Sequence, residues 1–188
     1  MRSLFFIEYV KNMRTVGAVA PSSKYLADKM LAKVNFEAAD VIVEYGPGTG
    51  VFTAEIIKRK RPETKLFIIE RNQAFNDVLV KKYAHHHNVY LINDSVENVE
   101  AILKRHKVER VDYIVSGLPF AALPAHVSEA ILASTARLLG THGTFITFQY
   151  TMLKKNYMHG FFKHISITKE YRNLPPAYVF CCNNKNKL

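Results

Sequence analysis

Cysteine, acidic residues and long apolar runs are all scarce in this chain of 188 residues. The two cysteines, Cys181 and Cys182, are adjacent. Neighbouring cysteines rarely pair with each other, and no metal-binding spacing is present, so we expect two reduced thiols and no metal site. No apolar run approaches the roughly 20 residues that cross a bilayer, so we expect no membrane-spanning segment. Internal repeats and low-complexity segments are also missing, and the 48% of hydrophobic residues predicts one globular domain.

The start of the chain carries a short apolar patch that Glu8 and Lys11 interrupt. No small-residue cleavage site follows, so we expect no secretory leader and a cytoplasmic location. Apolar positions in residues 4–13 recur at helical spacing, with basic residues largely off that stripe. Such a helix either packs on the core or lies in the headgroup layer as a peripheral membrane contact, and the sequence leaves both open.

Acidic residues are too few to balance the basic ones. Lysine and arginine number 26 and the acids 16, which leaves a formal net charge of +10. This excess favours a polyanionic partner, either nucleic acid or an anionic membrane surface, without choosing between them.

Strand and helix patterns alternate from about residue 34 onward. Strands are predicted at 41–45, 65–70, 88–93, 111–116 and 143–150. Helices are predicted over 22–33, 50–60, 72–84, 96–106 and 122–138. The alternation predicts an α/β protein with a parallel, doubly wound sheet. Two last strands, 163–170 and 178–182, have no room for a helix between them, so we expect an antiparallel hairpin.

Three of the eight glycines stand close together after the first predicted strand. Gly46, Gly48 and Gly50 follow the apolar residues 41–43 and Glu44. This pattern predicts a buried strand that turns sharply into a helix, with the main chain open to a ligand at the positive helix end. A phosphate-binding loop needs Gly-Lys-Ser/Thr at its end, and a dinucleotide fold places its third glycine one residue later. Neither pattern is present, so another ligand is indicated.

Three acids, Glu44, Glu70 and Asp94, stand at the carboxyl ends of successive predicted strands. A carboxylate at the mouth of the turn repels a pyrophosphate, whereas adenosylmethionine carries an ammonium and a sulfonium and no phosphate. An acid at the position of Glu70 holds ribose hydroxyls in doubly wound folds. Asp94 is placed to accept from an adenine amino group, although strand-end acids also cap helices. Together the three predict that the chain binds S-adenosyl-L-methionine.

Residues 44–50 read Glu-Tyr-Gly-Pro-Gly-Thr-Gly. With Glu70 and Asp94, this spelling resembles the signature of class I adenosylmethionine-dependent methyltransferases. The resemblance implies an enzyme with a Rossmann-like fold, a seven-stranded, mainly parallel sheet and a C-terminal antiparallel hairpin. It implies one domain overall, with residues 1–33 as a helical lid or membrane contact and 34–188 as the cofactor-binding part. The implied cofactor-binding residues are Glu44, Tyr45, Gly46, Gly48, Gly50, Glu70, Arg71, Asp94, Ser95 and Ser116.

The end of the fourth predicted strand is where the methyl acceptor is expected. The same glycine spelling is typical of rRNA adenine dimethyltransferases and bacterial phospholipid N-methyltransferases. The dimethyltransferases carry Asn-Leu/Pro-Pro-Tyr/Phe there, whose asparagine orients the target nitrogen and whose aromatic ring stacks on the base. This chain has no clean match to that asparagine, and its Ser-Gly-Leu-Pro is similar to the phospholipid enzymes. The residues implied as catalytic are Ser116, Gly117, Leu118, Pro119 and Phe120.

A second segment agrees with the lipid branch. Residues 15–23, Thr-Val-Gly-Ala-Val-Ala-Pro-Ser-Ser, resemble the entry to the first helix of those enzymes. The dimethyltransferases add a helical RNA-binding domain, whereas here the predicted fold extends to about Cys182. We therefore expect methylation of a phospholipid amine such as phosphatidylethanolamine, with His126 and Tyr178 as further candidates near the acceptor. The alternatives are an adenine N6-methyltransferase of rRNA or nucleic acid, another amine methyltransferase, or a non-catalytic cofactor-binding module.

Overall fold

The computed structural model describes residues 23–152 and 155–185. The predicted amphipathic helix at 4–13 and most of the segment 15–23 lie outside these ranges. The division of the chain at residue 33 stays a prediction.

Helices and strands alternate along the described chain. The strands are β1 (Val41–Tyr45), β2 (Lys65–Ile69), β3 (Val89–Ile92), β4 (Tyr113–Ser116), β5 (Thr144–Gln149), β6 (His164–Glu170) and β7 (Ala177–Asn183). The helices are α1 (Lys24–Leu31), α2 (Val51–Arg59), α3 (Gln73–Tyr83), α4 (Val99–Arg105), α5 (Ala125–Leu139) and α6 (Lys155–His159). A 3₁₀ turn at Val96–Asn98 precedes α4. Within these ranges no helix is long and apolar enough to cross a bilayer.

The strands form one seven-stranded sheet in the order β3-β2-β1-β4-β5-β7-β6. The first five strands run parallel, and β7 is antiparallel to both β5 and β6. The predicted mainly parallel sheet and its C-terminal antiparallel hairpin are confirmed. The insertion of the last strand between β5 and β6 was not predicted, and neither was the short helix α6.

Side chains alternate across β1 into two separate apolar layers. Val43 and Tyr45 face one layer, which α4 and α5 complete. Ile42 faces the other layer, which α1, α2 and α3 complete. Glu44 follows the parity of Ile42 and enters this second layer, fully buried. The predicted sheet with both faces covered is thus confirmed.

Helix α1 rests on the C-terminal hairpin. The Ser23 side chain caps the helix by accepting from the Leu26 amide, and the Ser23 amide donates to the Asn173 side chain. The Lys29 ammonium lies 3.2 Å from the Glu170 carboxylate at the end of β6. The helix therefore holds the loop between β6 and β7 at the same edge of the sheet where the parallel strands end.

Candidate functional site

The carboxyl ends of the five parallel strands meet at one edge of the sheet. The strand order reverses between β1 and β4, which makes a crevice at that edge. The Gly117 amide donates to the Tyr45 carbonyl at 2.9 Å, so the loops after β4 and β1 touch. The structure thus brings most of the predicted site residues to one crevice, at the place where such sheets bind ligands.

The glycine turn, residues 46–50, has left-handed backbone at each of its glycines. The φ angles are +59° at Gly46, +57° at Gly48 and +82° at Gly50, a region that side chains disfavour. A Cβ atom on Gly48 would meet nothing within 4 Å, so open space lies beside this main chain. A Cβ atom on Gly46 would lie 2.8 Å from the Leu118 side chain, so this glycine lets the loop after β4 approach.

We had expected Glu44 to lie open at the mouth of the glycine turn. Its side chain is instead fully buried beneath the turn. Its Oε2 accepts from the Thr53 hydroxyl at 2.7 Å, and its Oε1 has no hydrogen-bond partner among the described residues. Burial raises the pKa of Glu44 to about 8, with a smaller contribution from the negative charge of Glu70. The crevice therefore has an acid under its floor with one oxygen unsatisfied.

Glu70 closes the other side of the turn. Its Oε2 accepts from the Gly48 amide at 3.1 Å and its Oε1 from the Asn72 amide at 2.8 Å. Burial raises the pKa of Glu70, and these backbone hydrogen bonds oppose the rise by favouring the carboxylate. Ionising these two acids is costly in the crevice, and a cationic ligand would offset that cost whereas an anionic one would add to it.

The end of β3 leads into the 3₁₀ turn, and both carboxylate oxygens of Asp94 have partners there. Asp94 Oδ1 accepts from the Ser95 amide at 2.7 Å and from the Asn98 side chain at 2.8 Å. Its Oδ2 is 3.9 Å from Arg105. Ser95 caps the 3₁₀ turn, and the Arg71 side chain is exposed. Asp94 thus accepts hydrogen bonds from two residues of this turn, but the cap residue is Ser95, and the contact of Asp94 to adenine stays a prediction.

The segment after β4 is tightly bound to its neighbours. The Ser116 side chain is fully buried and accepts from the Leu118 amide at 3.1 Å, while the Ser116 carbonyl accepts from the Thr147 hydroxyl at 3.2 Å. A Cβ atom on Gly117 would lie 2.7 Å from the Gly46 carbonyl, so only glycine fits there. Ser116 is therefore held in the wall of the crevice, and its hydroxyl is used in a hydrogen bond within the loop after β4.

Two predicted aromatic residues point away from the crevice. The Phe120 ring is fully buried and packs edge-on against Phe145, with 6.0 Å between ring centroids. The Tyr45 ring is also fully buried, and its hydroxyl accepts from Thr135 at 3.4 Å. Burial raises the pKa of Tyr45. The expectation that Phe120 helps to orient an acceptor stays a prediction, and in the structure its ring packs within the core.

Sequence reasoning missed the polar side chains that hold the loops in place. Asn93 donates to the Glu70 carbonyl at 2.8 Å, and Gln149 donates to the Leu118 carbonyl at 3.2 Å. Asn93 directly follows β3 and Gln149 is the last residue of β5, so a polar residue at a strand end is the signal that could have identified them.

An open groove of about 630 Å³ lies beyond the end of β5. It is lined by Tyr150, Thr151, Met152, Lys155, Asn156 and Tyr178. Tyr178 was a predicted candidate near the acceptor, and its position beside Gln149 in the sheet places it at the carboxyl edge. The other candidate, His126, is exposed on α5. The described part of the chain holds no cluster of three or more potential metal ligands.

Comparison with known proteins provides independent information. The sequence model of the ribosomal RNA adenine dimethylase family matches residues 22–168. The ornithine lipid N-methyltransferase of Singulisphaera acidiphila is 30% identical over 95% of this chain and 94% of its own length. The ribosomal RNA small subunit methyltransferase A of a Sulfurihydrogenibium species is 32% identical over 59% of this chain, which spans only 42% of that protein.

The fold also matches solved structures. An rRNA methylase from Streptococcus thermophilus superposes with a TM-score of 0.62 and 16% identity, over 84% of this chain and 93% of that one. At this identity the likeness establishes the fold alone. The expected Rossmann-like methyltransferase fold is confirmed.

Proposed function

The chain belongs to the ribosomal RNA adenine dimethylase family of adenosylmethionine-dependent methyltransferases, and from this premise we propose that it methylates the amine of a lipid headgroup. Phosphatidylethanolamine and ornithine lipids are the acceptors we consider. Both present a primary amine beside an acidic group at a membrane surface.

The crevice fits the cofactor in charge and in space. Bound adenosylmethionine supplies a methyl group that its sulfonium activates. We assign Gly46, Gly48 and Gly50 to the close approach of main chain to the methionine part, because open space lies beside Gly48. Glu44, with its unsatisfied oxygen, is assigned to the side of the cofactor ammonium. Glu70 is assigned to the ribose.

The remaining assignments complete the cofactor site. Asp94 is assigned to the adenine amino group through Oδ2, which lies 3.9 Å from the exposed Arg105, since Oδ1 already accepts two hydrogen bonds. Ser95, Arg71 and Tyr45 contribute through backbone atoms beside these acids, and Ser116 contributes to the wall between cofactor and acceptor. Positioning is the protein's main contribution, because the methyl group is already activated.

The burial of Phe120 is the observation that carries the choice of acceptor. A flat base needs an aromatic face to stack on and an amide to orient its amino group, as the resemblance to the dimethyltransferases implies. Here the Phe120 ring is sealed in the core. Gly117 has no side chain, and a larger residue would collide with Gly46. A small alkyl amine needs neither feature, and we assign its orientation to the main-chain carbonyl of Gly117 beside Pro119, because the Leu118 carbonyl already accepts from Gln149 and from the Phe120 amide.

The extent of similarity supports the same choice. The ornithine lipid N-methyltransferase aligns along nearly its whole length with this chain. The rRNA relative aligns over little more than half of the chain. The match to the dimethylase family and the charge of +10 keep an adenine in rRNA as the second candidate.

Transfer of labelled methyl groups from adenosylmethionine distinguishes the candidates. The full chain is incubated separately with detergent-dispersed phosphatidylethanolamine, detergent-dispersed ornithine lipid, and rRNA. We expect label in at least one lipid and none in rRNA. Glu70→Gln should abolish the transfer, while Glu109→Gln, an exposed acid in the segment before β4, should retain it. Label in rRNA alone would overturn the lipid proposal, and label in no acceptor would favour a non-catalytic binding module.

A further inference from the structure

Large apolar side chains are exposed mainly at one place on the described surface. Leu174 is 78% exposed and Tyr171 72%, the highest values among the large hydrophobic residues of the described chain. Tyr25 is 48% and Met152 40% exposed, and both lie at the same edge of the sheet. Exposed apolar residues grouped in this way indicate an interaction surface rather than ordinary scatter.

The loop that carries Tyr171 and Leu174 is held in place by a buried polar residue. The Asn173 side chain accepts from the Ser23 amide at 3.0 Å and donates to the Pro175 carbonyl at 2.7 Å. Asn173 is only 4% exposed. Because Asn173 is anchored inward, its neighbours on either side are presented outward by a fixed backbone.

Basic groups surround these aromatic and aliphatic side chains. The Lys169 ammonium lies 4.9 Å from the Tyr171 ring centroid and 5.1 Å from that of Tyr178. The Arg172 guanidinium lies 4.3 Å from the Tyr25 ring centroid.

The buried acid at the base of this loop is paired with cations of the protein itself. Glu170 is buried, and hydrogen bonds from Arg172, together with Lys29, lower its pKa to about 2. Lys169 is left without an acidic partner in this cluster. The surface is therefore cationic as well as apolar.

This mixture suits the headgroup region of a bilayer. Tyrosine places an apolar ring and a polar hydroxyl at that boundary, leucine enters the acyl layer, and lysine is attracted to anionic lipid. A nucleic acid would favour the charges and the rings but gain nothing from Leu174.

The surface is continuous with the acceptor side of the crevice. Tyr178, which lies under Lys169, lines the groove beyond β5 and pairs with Gln149 across the sheet. Gln149 in turn donates to the Leu118 carbonyl. A lipid held at this surface would have its headgroup beside the groove and the segment after β4.

We propose that Tyr25, Lys169, Tyr171, Arg172 and Leu174 form a membrane-docking surface that seats on an anionic bilayer and brings a lipid amine to the crevice. Only the delivery of a lipid amine to the crevice rests on the proposed function. The docking step is independent of which molecule receives the methyl group.

Vesicle co-sedimentation of the full chain tests the docking step. The vesicles contain phosphatidylcholine with about one third phosphatidylglycerol, or phosphatidylcholine alone. We expect that the double change Tyr171→Ser and Leu174→Ser weakens binding to the anionic vesicles by about tenfold or more. Lys169→Gln should weaken it less and reduce its dependence on salt. The matched control is Val78→Ser with Val80→Ser, two exposed apolar residues on α3, which should bind as the wild type does.

A second readout separates this inference from the lipid-methylation proposal. The double variant should methylate detergent-dispersed aminolipid at the wild-type rate and lose activity on vesicles. If the wild type bound vesicles through this loop but methylated no lipid, the docking surface would stand. The proposed acceptor would then be overturned. Equal vesicle binding by the wild type and the double variant, with matching thermal unfolding, would overturn the docking surface. If the double variant lost binding to rRNA but kept binding to vesicles, the docking surface would also be overturned.

Discussion

Glu44 illustrates how one residue sets the electrostatics of the crevice. It is the next-to-last residue of a buried strand that leads into the glycine turn, and the parity of the strand sends its side chain into an apolar layer. Thr53, one turn into the following helix, satisfies one oxygen only. The acid is therefore held mostly protonated at neutral pH in the absence of a cation.

Replacement of this acid should change how stability depends on pH. Between about pH 4.5 and 8 folded Glu44 retains a proton that the unfolded chain has released. The free energy of unfolding should thus fall as pH rises through this window, by about 1.4 kcal/mol per pH unit from this group. We expect Glu44→Gln to lack this contribution. Urea unfolding of both proteins at several pH values measures the difference between their slopes.

An exposed acid provides the control for this measurement. Glu37 is exposed in the segment before β1, and Glu37→Gln should keep the wild-type slope. A Glu44→Gln protein with the same slope as the wild type would mean that Glu44 is ionised when folded.

Residue types at the site were predictable, but the directions of their side chains were not. The spacing of Gly46, Gly48 and Gly50 predicts a left-handed turn because few other residues adopt it. The burial of Phe120 depends on Phe145, a residue of another strand. Local sequence does not record such a long-range contact, so the ring was expected in the crevice.

At the scale of elements, apolar strand runs and glycine turns made most of the sheet predictable. The position of β7 between β5 and β6 was not, because it depends on pairing across the sheet rather than on local pattern. Helix α6 was missed for a similar reason, since Lys155–His159 is too short to show helical periodicity.

The contact between α1 and β6 should contribute measurably to stability. Lys29 donates to the Lys169 carbonyl at 2.7 Å and pairs with Glu170, which is buried. Lys29→Ala leaves the carbonyl without this donor and the buried carboxylate with Arg172 alone, so we expect a loss of about 1–3 kcal/mol. Urea unfolding measures it. Lys24→Ala, on the exposed face of the same helix, should change stability by less than about 0.5 kcal/mol. If Lys29→Ala and Lys24→Ala lowered the stability equally, the Lys29 contact would contribute no more than an exposed lysine does.

At the scale of the whole molecule, the sheet divides the chemistry between its two halves. The acids and glycines assigned to the cofactor lie at or just after the carboxyl ends of β1, β2 and β3, whereas the groove and the proposed docking surface lie beside β5, β6 and β7. The segment after β4 touches both halves, through Gly46 on one side and Gln149 on the other. A methyl donor and a lipid acceptor would therefore approach the crevice from opposite sides.

Cofactor binding should stabilise the whole fold, because the crevice joins loops from several strands. At about 100 times the dissociation constant, a ligand that binds only the folded state adds about 2.7 kcal/mol. For a chain of this size that corresponds to a rise in Tm of about 5–11 °C. Glu70 accepts from both Gly48 and Asn72, and we assign it to the ribose, so Glu70→Gln should lose most of this rise. Differential scanning fluorimetry with and without adenosylmethionine measures it, and Glu109→Gln, which changes an exposed acid before β4, should respond as the wild type does. A full rise in Glu70→Gln would remove the ribose assignment while leaving the family membership intact.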